Sequence, residues 1–327
     1  YPLLCKLFCS ESKYRALGKA FFEQPYICIL EQIDFLQGYK QIQYASLVLC
    51  MFCQNEITER MLANEDIEFM TIRNTVLKKC RVTEGSGLND VIKDSLDSMV
   101  NTFTINTKDG YSLIHDSVYE VLAFHYGNKH QEDMLQYMSS CFVANRFSIN
   151  GTSDDTKDLR IKIEKEHYPA FAERLVRDLK CLELHDVFRN KLLRINSLCT
   201  AFIDELKKMS YIEIKNLFFQ RPNPPLFKRH REKTYQTGRK QILHLDEWDR
   251  KRLQMLENWG NCYARVISWV IAFGHHQVLQ FLFDSVTEHK ESFQSVMGWD
   301  IPGENKKSSV ADRAEQAWHL TPVSYTH

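Results

Sequence analysis

Apolar residues recur at helical spacing along most of the chain. Leu3, Leu4, Leu7 and Phe8 form one stripe; Leu17, Phe21 and Phe22 begin a second; Ile27, Leu30, Ile33 and Phe35 extend a third. The run "YASLVLCMF", residues 44–52, is apolar nearly all round and predicts a buried helix. Short amphipathic helices are expected at 58–62 and 66–79, and "TEGSG" breaks the chain at 83–87. Leu88, Val91, Ile92, Leu96 and Met99 then share one helical face through residue 100.

From residue 101 the period falls to two. "TFTINT" alternates, with Phe103 and Ile105 on one side, and "YSLI" alternates again after the turn Lys108-Asp109-Gly110. This predicts a β-hairpin, which must pack on neighbouring helices because a lone hairpin is unstable in water. Ser117 and Glu120 have capping-box spacing, with Asp116 beside them, so a helix is expected to start at Ser117. Val118, Val121, Leu122 and His125 fall on one face of it, and Met134, Met138 and Phe142 continue in a second helix. Helices, one hairpin and a further helix make a winged-helix arrangement.

Residues 150–165 are polar and charged and read as a boundary loop. Helices resume at about residue 169 and run to 219, where "RPNPP" is a stop. The stretch 228–240 is basic, with Glu232 as its acidic exception. Helical pattern returns with Trp248, Leu253, Leu256 and Trp259, then over 266–273 and 278–283.

The 327 residues suggest two or three domains. Lysine plus arginine equal aspartate plus glutamate, 42 each, so no global field steers the chain toward nucleic acid or acidic lipid. Ten scattered cysteines in or beside helical patterns read as reduced thiols, which implies a cytoplasmic protein. Cys50 and Cys53 have zinc-like spacing but no second pair to complete a site, and no metal is expected. No apolar run is long enough for a membrane span, and no GxSxG nucleophile motif occurs. His115-Asp116 is a neighbour pair in which Asp116 is better placed as a helix cap.

Two segments carry family marks. In "AFGHHQVLQFLF", Ala272, Gly274, His275, Val278, Leu279 and Leu282 stand where the centre of an ankyrin repeat has its helix end, Gly-His turn and second helix. Gly274 would let the chain reverse, and Val278, Leu279 and Leu282 would bury against a following repeat. The Thr-Pro-Leu-His opening is missing, so an irregular first repeat is expected, with an ordinary helical hairpin as the alternative.

The second segment is "DGYSLIHDSVYEVLAFHY". It resembles the winged helix of STAND-class NTPases, the signalling ATPases that include NOD-like receptors: Tyr111, Leu113 and Ile114 precede His115, and Tyr119-Glu120 and Ala123-Phe124 follow. "YPLLCKLF" resembles the Gly-x-Pro-Leu motif of the small helical domain upstream, matching at Pro2, Leu3 and Leu4 without the glycine. The layout is most similar to "novel STAND NTPase" proteins with ankyrin arrays. It implies a mainly α chain: the end of the small helical domain at 1–40, a winged helix with one β-hairpin at 41–145, a helical arm and linker at 146–245, and the start of ankyrin-like repeats at 246–321. Residues 322–327, "PVSYTH", also match an in-frame sequencing adapter and are expected to be an adapter-derived tail.

The resemblance further implies that Pro2 lines the adenine side of a nucleotide site and that His115 reaches the β-phosphate of ADP. On the residues alone, His115 reads as a histidine satisfied by backbone groups at a strand-to-helix junction. No GxxxxGK[ST] P-loop occurs, so this chain is not expected to be an enzyme; both ends read as truncations, and ADP or ATP with magnesium is expected only for a longer parent. The expected function is nucleotide-switched, innate-immune-like signalling through protein partners on the repeats, in a parent that forms homo-oligomers. The alternatives are a nucleic-acid-binding winged helix using 228–240, or a plain helical scaffold.

Overall fold

The computed structural model describes residues 5, 8–9, 12–23, 25–63, 66–83, 85, 87–149, 159–220 and 265–297. The described chain is mainly helical with a small three-stranded antiparallel sheet, and it divides into two compact units. The first comprises Tyr1–Ser139 and Arg146–Ile163; the second comprises Ser140–Asn145 and Glu164–His327. Pro2, the 228–240 stretch, Trp248, Trp259 and the 322–327 tail lie outside the described residues.

In the first unit, helices α1 (Ser12–Leu17), α2 (Lys19–Glu23) and α3 (Pro25–Tyr39) lead to α4 (Gln41–Phe52). Every side chain from Tyr44 to Phe52 is buried, as the all-round apolar pattern requires. Burial of each large aliphatic or aromatic side chain there stabilises the unit by roughly 1.5–3 kcal/mol. α4 packs against α3, α6 (Ile67–Lys79), α7 (Leu88–Ser98) and α8 (Asp116–Gly127), so it is the hub of this core.

The earlier stripes are phased differently from expectation. The chain breaks at Gly18, whose φ of 55° suits glycine, and only Phe21 of the second stripe is buried; Leu17 and Phe22 are exposed. In α3 the buried residues are Cys28, Ile29, Ile33 and Leu36, while Ile27 and Phe35 face outward. On α7, Ile92, Leu96 and Met99 are buried but Val91 is exposed.

The hairpin is present as β2 (Thr104–Asn106) and β3 (Gly110–Leu113), with a third strand that the pattern did not predict, β1 (Ile57–Thr58). The order is β1–β3–β2, both pairs antiparallel, with Ile57 opposite Tyr111 and Thr104 opposite Leu113. Gly110 is required by this pairing, because a Cβ there would lie 1.9 Å from the Ile57 carbonyl oxygen. The phase of β2 is also shifted. Thr104 is buried and donates its hydroxyl to the Leu96 carbonyl at 3.0 Å, which turns Ile105 outward rather than inward with Phe103.

Asp66 caps α6 through the Phe69 amide at 2.9 Å, and Thr58 caps the short α5 (Glu59–Leu62). α9 (Gln131–Tyr137) holds Met134; Phe142 instead belongs to a separate helix, α10 (Ser140–Arg146), most of which clusters with the second unit. The boundary loop expected over 150–165 is not wholly irregular. β4 (Phe147–Ile149) and β5 (Ile161–Ile163) flank residues 150–158 and pair in parallel, and Ile161 packs on Gly127.

The second unit is built from α11 (Tyr168–Lys180), α12 (Leu184–Phe188), α13 (Asn196–Leu206), α14 (Tyr211–Phe219), α15 (Val266–Ala272), α16 (His276–Glu288) and α17 (Phe293–Val296). α11 and α13 pair closely, burying Phe171, Leu175 and Leu179 with Leu198, Phe202 and Leu206. Within α11, Arg174 and Asp178 are both buried and bonded, with 2.8 Å from Nε to each carboxylate oxygen. A capping box forms at Ser210 and Glu213, at the start of α14. Among the described residues no helix is long and apolar enough to cross a membrane.

Candidate functional site

His115 stands where the sheet hands over to α8. The ladder continues past Leu113 through the Ile114 amide, which donates to the Phe103 carbonyl at 2.8 Å. His115 itself is extended, with φ −156° and ψ 148°, and it is the N-cap of α8: its Nδ1 accepts from the Ser117 amide at 3.1 Å and lies 3.1 Å from the Ser117 hydroxyl. The capping box expected at Ser117 and Glu120 is therefore not formed. The imidazole already occupies the Ser117 amide, the helix starts one residue earlier at Asp116, and Glu120 pairs with Arg146 instead. Because Nδ1 accepts, the neutral ring carries its proton on Nε2. His115 as a residue is exposed, while its Nδ1 is engaged at the helix start.

An open polar cleft of about 210 Å³ lies at the other end of the hairpin, lined by Glu59, Asn106, Thr107, Lys108, Gly110 and Tyr111. From Gly110 to His115 the extended chain spans roughly 16 Å at about 3.3 Å per residue, so the cleft and the imidazole are separate features.

The repeat-like residues of the second unit sit together. Gly274 has φ 73°, and the His275 amide donates to the Val270 carbonyl at 3.0 Å, closing the reversal between α15 and α16. His275 is buried, and its Nε2 donates to the Phe188 carbonyl at the end of α12 at 2.6 Å. Val278, Leu279 and Leu282 are buried in α16, which packs against α15 and α13. The neighbouring His276 is exposed.

Two buried polar clusters were not anticipated. In the first unit, His125 Nδ1 is 2.8 Å from the Tyr44 hydroxyl and Nε2 is 2.9 Å from Asp34 Oδ1, joining α8, α4 and α3. Burial pushes the His125 pKa below its ordinary value; the Asp34 hydrogen bond opposes this, and Lys129 adds to it. The sequence signal was a histidine and a tyrosine standing where each helical face calls for an apolar residue. In the second unit, Asp186 accepts from the Ser140 hydroxyl at 2.9 Å, with Arg189 Nε at 3.4 Å and His185 Nδ1 at 3.7 Å. Burial raises the Asp186 pKa, but its interactions with His185, Arg189 and Ser140 outweigh burial and leave it lowered.

The thiols offer no activated nucleophile among the described residues whose values are shifted. Burial pushes Cys53 and Cys80 up to about 12 and Cys199 up to about 11, and it raises Cys141 beside Arg189. None of the described cysteines is in a disulfide, and no described group of histidine, cysteine and carboxylate side chains is arranged to hold a metal ion. Comparison with protein-family models, curated proteins and solved structures returns no match for the chain.

Proposed function

We propose that the first unit is the winged helix of a STAND-class signalling protein, preceded by the end of its small helical domain, and that the second unit carries a helical arm leading into ankyrin-like repeats. The observation that carries this reading is the sheet order β1–β3–β2, with α5, α6 and α7 between β1 and the hairpin, and with His115 exposed at its exit. The exposed imidazole, its neutral proton on Nε2, suits a contact to a diphosphate oxygen, and a charge-assisted bond of this kind is worth about 1.5–3 kcal/mol. Loss of that contact on exchange of ADP for ATP would free the domain to move, a switch driven by differential contacts. α3 ends at Tyr39 and α4 begins at Gln41, so Lys40 is the natural hinge between the helical domain and the winged helix. In the second unit, Gly274 at φ 73° and buried Val278, Leu279 and Leu282 support a repeat-like helical pair that presents protein-binding surface.

The nucleic-acid alternative rests on the basic stretch 228–240, which lies outside the described residues, and the described face of the first unit adds nothing to it. The helix before the wing, α7, exposes Asp90, Asp94 and Asp97, and its Lys93 is engaged with Glu59 at 3.5 Å. Such a face repels a phosphate backbone.

The test is ADP retention by a longer chain that carries a P-loop upstream of Tyr1. His115→Ala is expected to weaken retention about tenfold or more, the equivalent of one charge-assisted hydrogen bond. Retention unchanged by His115→Ala refutes the sensor assignment.

A further inference from the structure

The Tyr44–His125–Asp34 chain has no part in the nucleotide reading, yet it ties α3 to α4 and α8 across Lys40. Its hydrogen-bond directions are fixed by chemistry. The Asp34 carboxylate can only accept, so the neutral ring carries its proton on Nε2. Nδ1 is then the basic atom, and it takes the Tyr44 proton. Tyr44 is 1% exposed and His125 6%, whereas the Asp34 side chain is 60% exposed. The lone pair that would bind a proton is thus sealed beneath the tyrosine, and only the carboxylate end of the chain meets solvent.

We infer that this chain is a proton-sensitive latch holding α3 against α4 and α8, closed while His125 is neutral and released when it takes a proton. A proton arriving from solvent at Nδ1 makes that nitrogen a donor. Tyr44 must then turn its hydroxyl proton away into an apolar core, leaving a buried donor without its acceptor. The surrounding charges work in the same direction except for one. From the turn after α8, Lys129 Nζ lies 3.4 Å from Nε2 while donating to Gln37 of α3 at 2.5 Å, and His130 lies in the same turn. Both oppose an imidazolium. From α3, Asp34 favours it, but through an exposed carboxylate whose field is screened.

The sign follows from burial. A histidine whose folded pKa is depressed binds fewer protons folded than unfolded, so the closed state loses stability as pH falls below about 6.5. The latch spans the same Lys40 hinge, but it is argued from the hydrogen-bond chain alone and stands without any nucleotide.

Hydrogen–deuterium exchange of the full 327-residue chain tests it, compared between about pH 7.5 and about pH 5 after correction for intrinsic exchange. Amides of α3 and α8 are expected to lose protection roughly fivefold or more at the lower pH, the effect of about one lost buried hydrogen bond, while α11 in the second unit stays level. His125→Gln is expected to abolish this pH dependence. Tyr44→Phe uncaps Nδ1 and is expected to move the transition to higher pH. Constant protection in the wild type, the same pH response in His125→Gln, or an unmoved midpoint in Tyr44→Phe overturns the latch. Tyr44→Phe keeps the test decisive if His125→Gln does not fold.

Discussion

Asn55 carries a test of how the first unit is held together. It follows α4, it is 3% exposed, and its φ of 67° lies in the left-handed region. Its own amide donates to the Cys50 carbonyl at 2.8 Å, closing the end of α4. Its side-chain Oδ1 accepts from the amide of Leu113 in β3 at 2.7 Å. With Gln54, at φ 57°, Asn55 turns the chain out of the central helix, and its side chain fastens the central strand to it. Asn55→Ala removes the acceptor from a buried amide, a loss of about 1–3 kcal/mol, and forces an alanine into left-handed geometry, a further 1–2 kcal/mol or so. The expected total is about 2–5 kcal/mol. Asn55→Gly loses the same hydrogen bond but tolerates the backbone, so it should retain about 1 kcal/mol relative to alanine.

The assay must see the first unit alone. All five tryptophans stand at or beyond residue 248, so their fluorescence reports on the other part of the chain and serves as the control. Exchange protection of the Leu113 amide reports on the first unit directly. Two results would refute the reasoning. Protection within about 0.5 kcal/mol of wild type in both variants would mean that Asn55 does not anchor β3. Glycine as damaging as alanine would mean that the left-handed backbone is not what asparagine serves.

In the second unit, Asp178 has its pKa raised by burial against the opposing pull of Arg174, so the pair is costly to break singly. Arg174→Met alone should destabilise the unit by about 3 kcal/mol or more by urea titration, whereas Arg174→Met with Asp178→Leu should come close to wild type; equal losses in both would sink this. His275→Ala leaves the Phe188 carbonyl without its imidazole donor and should cost about 1–3 kcal/mol. Gly274→Ala, at φ 73°, should cost about 1 kcal/mol in the same titration; no loss in either would mean that the turn between α15 and α16 is not fixed as described.

The elements best read from sequence were those whose signal is contained within one segment. Residues 44–52 are apolar on every side and form a helix buried on every side. Asp109-Gly110 gives the hairpin, and the 266–286 pattern gives a helix, turn and helix. What was not legible depended on partners far along the chain. β1 is two residues long and exists because Gly110 lets β3 approach Ile57 without a side chain between them. The capping box expected at Ser117 and one that the pattern had not singled out had opposite outcomes. Ser210 and Glu213 close theirs, while at Ser117 a neighbouring imidazole and the distant Arg146 take both partners. Local spacing proposes such a motif, and competition decides it.

Three histidines show why the candidate site cannot be chosen by pattern alone. His115, His125 and His275 all stand beside apolar residues at a helix start or on a helix face. His275 spends its Nε2 on the Phe188 carbonyl and is buried, so it fixes a turn. His125 uses both ring nitrogens, with Tyr44 on one side and Asp34 on the other, so its chemistry is directed within the fold. His115 is the exposed member, and its Nδ1 caps α8. A ligand contact needs an accessible donor, and a conformational device needs a buried group with directional partners. The proposed nucleotide contact draws on the exposure of His115, and the proposed latch draws on the burial of His125; the family resemblance, not the residue pattern, had pointed to the first.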